Sequence, residues 1–203
     1  MNHIMIDIET LSRKLGAVVL SIGAVAFDPD SNRLGETFSI RLPAQEQIDK
    51  GGLVEMETVL WWMGQSLEAR NAAFQGPCAP TVAHGLGKFS RFLQRVLAGN
   101  LRVWSNGPSF DSAQLQLLFD RFGVPWPVKY NADRDCRTIF ELAYPGERVP
   151  VPDDGTVQHD ALADAVWQAR AVQACVRKLR CNTLGGCENP SSVLRTATGA
   201  THD

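Results

Sequence analysis

The stretch His3-Ile4-Met5-Ile6-Asp7-Ile8-Glu9-Thr10 decides how the rest of the chain is read. Ile4, Ile6 and Ile8 alternate with Met5, Asp7 and Glu9, a period of two that predicts a β-strand. Side chains two apart on a strand share a face, so Asp7 and Glu9 point to the same side of an otherwise apolar strand. Neighbouring anions in a half-buried place repel each other and lose hydration. A divalent cation relieves both costs, because hard cations favour carboxylate oxygen. Alone, Asp-x-Glu more often marks a solvated strand end. Its weight depends on partners elsewhere in the chain.

Working outward, Ala17 to Phe27 is a second apolar run rich in β-branched residues, and Asp28-Pro29-Asp30-Ser31-Asn32 is a dense turn. Glu36 to Leu42 gives a third strand. Three strands joined by short connections predict an antiparallel meander. After Pro43 the pattern becomes helical. Short helices are expected over Thr58 to Met63 and Leu67 to Phe74. A longer one covers Thr81 to Leu97, closed by Gly99 or Asn100. Leu101 to Ser105 reads as a buried strand. Ser109 to Phe122 reads as an amphipathic helix with Gly123 at its C′ position. Val128 to Asn131 is expected to form a strand and Thr138 to Tyr144 a helix. A Pro-rich loop, Pro145 to Pro152, then precedes a last helix over Ala161 to Arg180 with Asp160 as N-cap. This order predicts an α/β fold with a mixed central sheet flanked by helices. No internal repeat is visible.

Two later stretches give the first pair of acids possible partners. Asn106-Gly107-Pro108-Ser109-Phe110-Asp111 follows a buried strand and opens a helix. A carboxylate there suits the helix dipole, yet strand ends of α/β sheets are also where sites form. His159-Asp160-Ala161-Leu162-Ala163-Asp164 opens the last helix, whose small residues Ala161, Ala163 and Ala165 allow close approach to another element. His159 and Asp164 read equally as surface groups, or as a proton carrier beside a ligand.

In this order the three pieces resemble the DEDD superfamily of 3′–5′ exonucleases, of the type with a histidine in the third motif. Asp7-Ile8-Glu9-Thr10 matches the first motif, Asp111 the second, and His159 with Asp164 the third. The resemblance spans about Ile4 to Ala174. Leu20-Ser21-Ile22-Gly23-Ala24-Val25, Thr58-Val59-Leu60-Trp61-Trp62 and Asp135-Cys136-Arg137-Thr138 narrow it to the small bacterial and phage branch of exonuclease-VIII-like domains related to mycobacterial exoribonuclease RNase AS.

The resemblance implies a ribonuclease H-like fold and hydrolysis of single-stranded nucleic acid from its 3′ end to nucleoside monophosphates, with RNA somewhat favoured over DNA. It implies two divalent ions, Mg²⁺ or Mn²⁺, on Asp7, Glu9, Asp111 and Asp164, with His159 as general base. Thr10 and Leu11, just after the first Glu, are expected to contact the terminal nucleotide. Phe110 is a candidate for contacting a base or for packing. Trp61 and Trp62 face different directions on a helix, so at most one lines a cleft, and core packing is expected for both. Arg137 either holds a phosphate or braces an acidic ligand. Several related small exonucleases are homodimers, which makes a homodimer an expectation here. The alternatives are a nucleic-acid-binding module without catalysis, and a phosphotransfer enzyme with an aspartyl nucleophile.

Composition sets the outer bounds. The chain has 203 residues, of which 44% are hydrophobic and 21% charged, as expected for one domain with an ordinary core. That domain is placed over residues 1–180, followed by a tail over 181–203 that is expected to be mobile. A formal net charge of −2 argues against coating nucleic acid by bulk electrostatics, though not against holding one chain end in a cleft. The cysteines number five, with no CxxC pair, which favours a reducing cytoplasm over a disulfide framework or zinc site. No secretion leader or membrane span is read.

Overall fold

The computed structural model describes residues 1–96, 101–151 and 159–183. Three strands open the fold: β1 (His3–Thr10), β2 (Val19–Phe27) and β3 (Leu34–Arg41). They form the expected meander, β1 and β3 each pairing antiparallel with β2. Four helices follow: α1 (Ala44–Asp49), α2 (Met56–Met63), α3 (Leu67–Phe74) and α4 (Val82–Val96). β4 (Arg102–Ser105) then pairs parallel with β1. After α5 (Asp111–Arg121), β5 (Asp133–Asp135) pairs parallel with β4. α6 (Cys136–Ala143) and α7 (Ala161–Thr183) complete the described chain. The sheet order is β3-β2-β1-β4-β5, a mixed sheet as expected.

Each face of the sheet carries its own core. Ile4, Ile6 and Ile8 of β1 pack with Leu86, Phe89, Phe92 and Leu93 of α4 and with Leu115, Leu118 and Phe119 of α5. Met5 points the other way and meets Val25, Phe27, Trp104, Cys136 and the Ala165, Ala169 and Val172 stripe of α7. Asp7 and Glu9 therefore face α7. Asp7 pairs across the strands with Gly23, and there α7 touches the sheet. A Cβ built on Gly23 would lie 2.1 Å from the carbonyl carbon of Ala161. Glycine is what lets the first turn of α7 rest on β2.

Local rules hold at the helix ends. Asp160 Oδ1 accepts the Ala163 N–H at 2.8 Å, the expected N-cap contact. Gly123 has φ +64, and the bonds from Gly123 N–H to the Asp120 carbonyl and from Val124 N–H to the Phe119 carbonyl make a Schellman ending of α5.

Two elements depart from expectation. The strand expected over Val128 to Asn131 lies instead at Asp133–Asp135. Trp126 and Val128 are partly buried because they pack on the core from a loop, whereas the true strand is a half-exposed, charged edge with one neighbour. α1 was not expected, since its sequence AQEQID has little apolar pattern. It is fixed by buried Gln47, whose amide accepts the Val19 N–H and donates to the Val19 carbonyl. α7 runs three residues into the tail expected over 181–203; residues Gly99 and Asn100, Pro152, and the rest of that tail lie outside the described residues.

Replacing Gly23 with Ala should force α7 off β2. Overpacking of this kind costs about 1–3 kcal/mol, and in a chain of this length roughly 2–4 °C of Tm accompanies each kcal/mol. An unchanged Tm in a thermal melt would show that α7 does not bear on Gly23.

Candidate active site

The C-terminal ends of β1 and β4 lie side by side, and α5 and α7 both begin above them. β1 supplies Asp7 and Glu9. β4 leads into the loop before α5, where Gly107 adopts φ +134. Its carbonyl accepts the N–H groups of Phe110 and Asp111, so the turn delivers Asp111, 7% exposed, as the first residue of α5. α7 supplies Asp164 in its first turn and Gln168 one turn later, and the loop before it supplies His159. All five residues expected to form a site are thus brought together. Glu9, His159 and Asp164 place ligand atoms within 4.8 Å of one another.

His159 is held in an unusual way. Its φ is +64, and it is the one non-glycine residue with positive φ among the described residues. A residue with a Cβ pays about 1–2 kcal/mol for that conformation. Its N–H donates to Asp164 Oδ2 at 3.1 Å. Its ring meets Trp61 edge-on at 4.8 Å between centroids and Trp62 at 6.2 Å.

The carboxylates oppose one another's ionisation. Burial holds Asp7 well above the usual carboxylate range, reinforced by Asp111, Glu9 and Asp164, while the Gln168 amide lowers it. Burial, then the charges of Asp164, Asp160 and Asp111, push Glu9 up to about 8. Burial raises Asp111 to about 7 against the lowering effects of its own N–H, Arg137 and Ser105. Burial also raises Asp164, against the charge and N–H of His159. Ser105 Oγ is close enough to act on Asp111, yet it makes no hydrogen bond of good geometry. Such a set of oxygen donors, crowded and short of compensating positive charge, fits a hard divalent cation.

A cleft of about 380 Å³ runs outward from Glu9 between Ile8, Thr10, Arg13, Glu57, Thr58, Trp61 and Trp62. Its walls separate the expected contact residues. Thr10 lines the cleft. Leu11 does not: its side chain packs with Val18, Leu20, Trp62 and Ala73. Its N–H donates to Val18, and its carbonyl accepts from Glu55. Phe110 is half-buried against the α4–α5 core.

The two tryptophans differ. Trp62 is 2% exposed and donates its Nε1–H to the Thr10 carbonyl at 3.0 Å. Both line the cleft, contrary to the expectation of at most one, and Trp61 is 45% exposed, contrary to the expectation of core packing for both, because α2 buries only one side. The Arg137 guanidinium lies over Gly107 and lowers the pKa of Asp111.

Sequence reasoning missed Gln168 and the role of Gly23. Gln168 Nε2 donates to Asp7 Oδ1 at 2.8 Å. Its position four residues after Asp164 puts it on the same helix face, a spacing that could have revealed it. Gly23 carried no comparable mark, since its importance comes from α7, distant in sequence.

The mixed five-stranded sheet flanked by helices is a ribonuclease H-like fold. The family model for the 3′–5′ exoribonuclease Rv2179c-like domain matches residues 2–176, and the chain belongs to that family. It is 28% identical over 189 residues to an exodeoxyribonuclease of Enterobacteria phage T4, covering 79% of this chain and 82% of the phage protein. Among solved structures it is similar to the nuclease domain of 3′hExo, a DEDDh family member bound to rAMP. That likeness has a TM-score of 0.56 at 13% identity, over 88% of this chain and 91% of the other. It is also similar to the zinc-bound form of an E. coli ExoI–ssDNA complex, with a TM-score of 0.55 at 16% identity, over 90% of this chain and 41% of that one. DEDDh exonucleases use divalent metals. No described helix is long and apolar enough to cross a membrane.

The raised carboxylates set a pH dependence. A carboxyl group with a raised folded pKa binds its proton more tightly when folded. The stability tied to that proton is complete below the unfolded value, about 4, and is lost as pH rises through the folded value, about 7 for Asp111 and about 8 for Glu9. Metal-free protein should therefore lose Tm from about pH 5 to about pH 8. Mg²⁺ or Mn²⁺ should raise Tm most at the upper end, where fewer protons must be displaced. A Tm that climbs with pH without metal would contradict this electrostatic picture.

Proposed function

We propose that the chain removes nucleoside monophosphates from the 3′ end of single-stranded nucleic acid, by hydrolysis that depends on two divalent cations. One observation carries this reading: carboxylates of β1, α5 and α7, buried or half-buried, converge beside a histidine on one end of the sheet. Asp7, Glu9, Asp111 and Asp164 would hold two ions, Mg²⁺ or Mn²⁺. Such ions, when bound, lower the pKa of water and offset charge on the phosphate.

The chain's own residues supply the rest. His159 takes the proton of the attacking water as the new O–P bond forms, and the P–O3′ bond breaks, O3′ of the shortened strand taking a proton from solvent. Asp164 holds the backbone of His159 through the N–H contact, and Trp61 holds its ring. The terminal nucleotide occupies the cleft beyond Glu9, with Thr10 and the exposed Trp61 on its walls. Aromatic faces accept any base by stacking.

RNA is favoured over DNA because the matching family is named for exoribonuclease activity. The phage relative, named as an exodeoxyribonuclease, makes DNA the substrate to test beside it. Discrimination would lie in contacts to the 2′-hydroxyl.

The test uses end-labelled single-stranded RNA and DNA of one sequence with Mg²⁺ or Mn²⁺. Wild type should give a ladder from the 3′ end, faster on RNA, and Asp7→Ala should give none. His159→Ala should keep metal and strand binding while kcat falls about 10²–10⁴-fold, the usual contribution of a general base. Internal cuts, or full activity in Asp7→Ala, would overturn the assignment. Loss of metal binding in His159→Ala would make that residue a ligand instead.

A further inference from the structure

We propose that Gln168 is a positioning residue for the carboxylates at this site. Its amide N–H fixes Asp7, and its carbonyl oxygen accepts a hydrogen bond from water held with the cation. The proposal rests on the metal-binding reading above and goes one residue beyond it.

Gln168 is 5% exposed and sits on α7 one turn after Asp164. Its Nε2 lies 2.8 Å from Asp7 Oδ1. A metal-bound carboxylate is ionised and can only accept, so in that state the amide turns its NH₂ toward Asp7. That choice fixes Oε1 on the other side, where it is buried and has no hydrogen-bond partner among the described residues.

Two of the other buried glutamines, Gln47 and Gln114, behave differently. Gln47 uses both ends of its amide, on Val19 and Pro43. Gln114 accepts from the N–H groups of Gly16 and Ala17 and donates to the Lys14 carbonyl. A buried acceptor without a donor is unfavourable and calls for an explanation. With a cation bound, the nearby carboxylates are ionised and have no proton to give it. An O–H donor is needed, and water polarised by a divalent cation is a strong one.

The bond to Oδ1 also has a mechanical effect. It opposes rotation of the Asp7 carboxylate about Cβ–Cγ and leaves Oδ2 outside that bond. Groups that orient metal ligands in this way typically account for about 10–100-fold in metal affinity or activity.

The experiment uses the full chain and Mn²⁺ as probe, with binding measured by titration calorimetry and hydrolysis followed against Mn²⁺ concentration. Gln168→Met keeps length and burial but removes both polar ends. Gln168→Asn keeps the amide but is one methylene too short. Both should fold without metal, as judged by circular dichroism. Both should bind Mn²⁺ about tenfold more weakly or worse and need correspondingly more Mn²⁺ for half-maximal rate.

If Gln168→Met does not fold, the Asn variant decides. Wild-type Mn²⁺ affinity in a folded variant overturns the proposal, even where its metal-free Tm has dropped, because a purely structural role would have that outcome. Asp7→Ala separates the two levels. If it binds Mn²⁺ and cleaves normally, the metal-site reading itself fails. If it is inactive while the Gln168 variants match wild type, only the role of Gln168 fails.

Discussion

The contact on which the rest of the site depends is between helix α7 and strand β2 at Gly23. No side chain fits there, because the backbone of Ala161 already occupies the space a Cβ would need. That approach fixes the height of the helix above the sheet. With the height fixed, helical spacing does the rest: Asp164 falls over Glu9, Gln168 falls over Asp7, and Ala165 and Ala169 fill the layer between them. A helix standing one side chain further out would leave these groups too far apart to share an ion. The alanine stripe and the glycine are two halves of one steric condition, met by residues far apart in sequence.

That condition creates an electrostatic problem. Close packing drives out water, and Asp7, Glu9, Asp111 and Asp164 all have raised pKa values as a result, burial being the first cause in each. The protein offsets little of this with its own charges. Arg137 acts on Asp111 from the rim, and the described ion pairs near the cleft, such as Lys14 with Glu55, brace the loop after β1 instead. The site therefore withholds stability at neutral pH that a bound cation would return. This is the usual bargain of functional sites, where local rules for a stable core are set aside.

How much of this was legible depended on whether the cause was local. β1 and α4 were readable because their own periodicity records which face is buried. The carboxylates were readable for a related reason: Asp7 and Glu9 interrupt an apolar pattern, and an interruption is visible without knowing the partner. α1 was not readable, because it is held by Gln47 bonding to β2 and not by an apolar stripe. β5 was misplaced because an edge strand of charged residues has no hydrophobic period, whereas nearby Val128 looked like a strand while packing from a loop. Leu11 followed the same logic. Its neighbour Thr10 faces the cleft, but the register shift between Glu9 and Thr10 changes the direction of the chain and turns Leu11 inward.

His159 shows how packing and chemistry meet in one residue. A histidine at φ +64 persists only where its surroundings over-determine it, and here three do. Its N–H is held by Asp164, its ring lies against Trp61, and Trp62 stands behind, anchored to the Thr10 carbonyl. These ties connect the imidazole to α7, to α2 and to the end of β1 at once. Glycine would be easier to accommodate at this φ. Glycine would relieve the φ but remove the ring contacts that join the wall of the cleft to the carboxylates. Trp61 is thereby shared between two tasks, with one part of its ring against His159 and the remainder open to whatever enters the cleft.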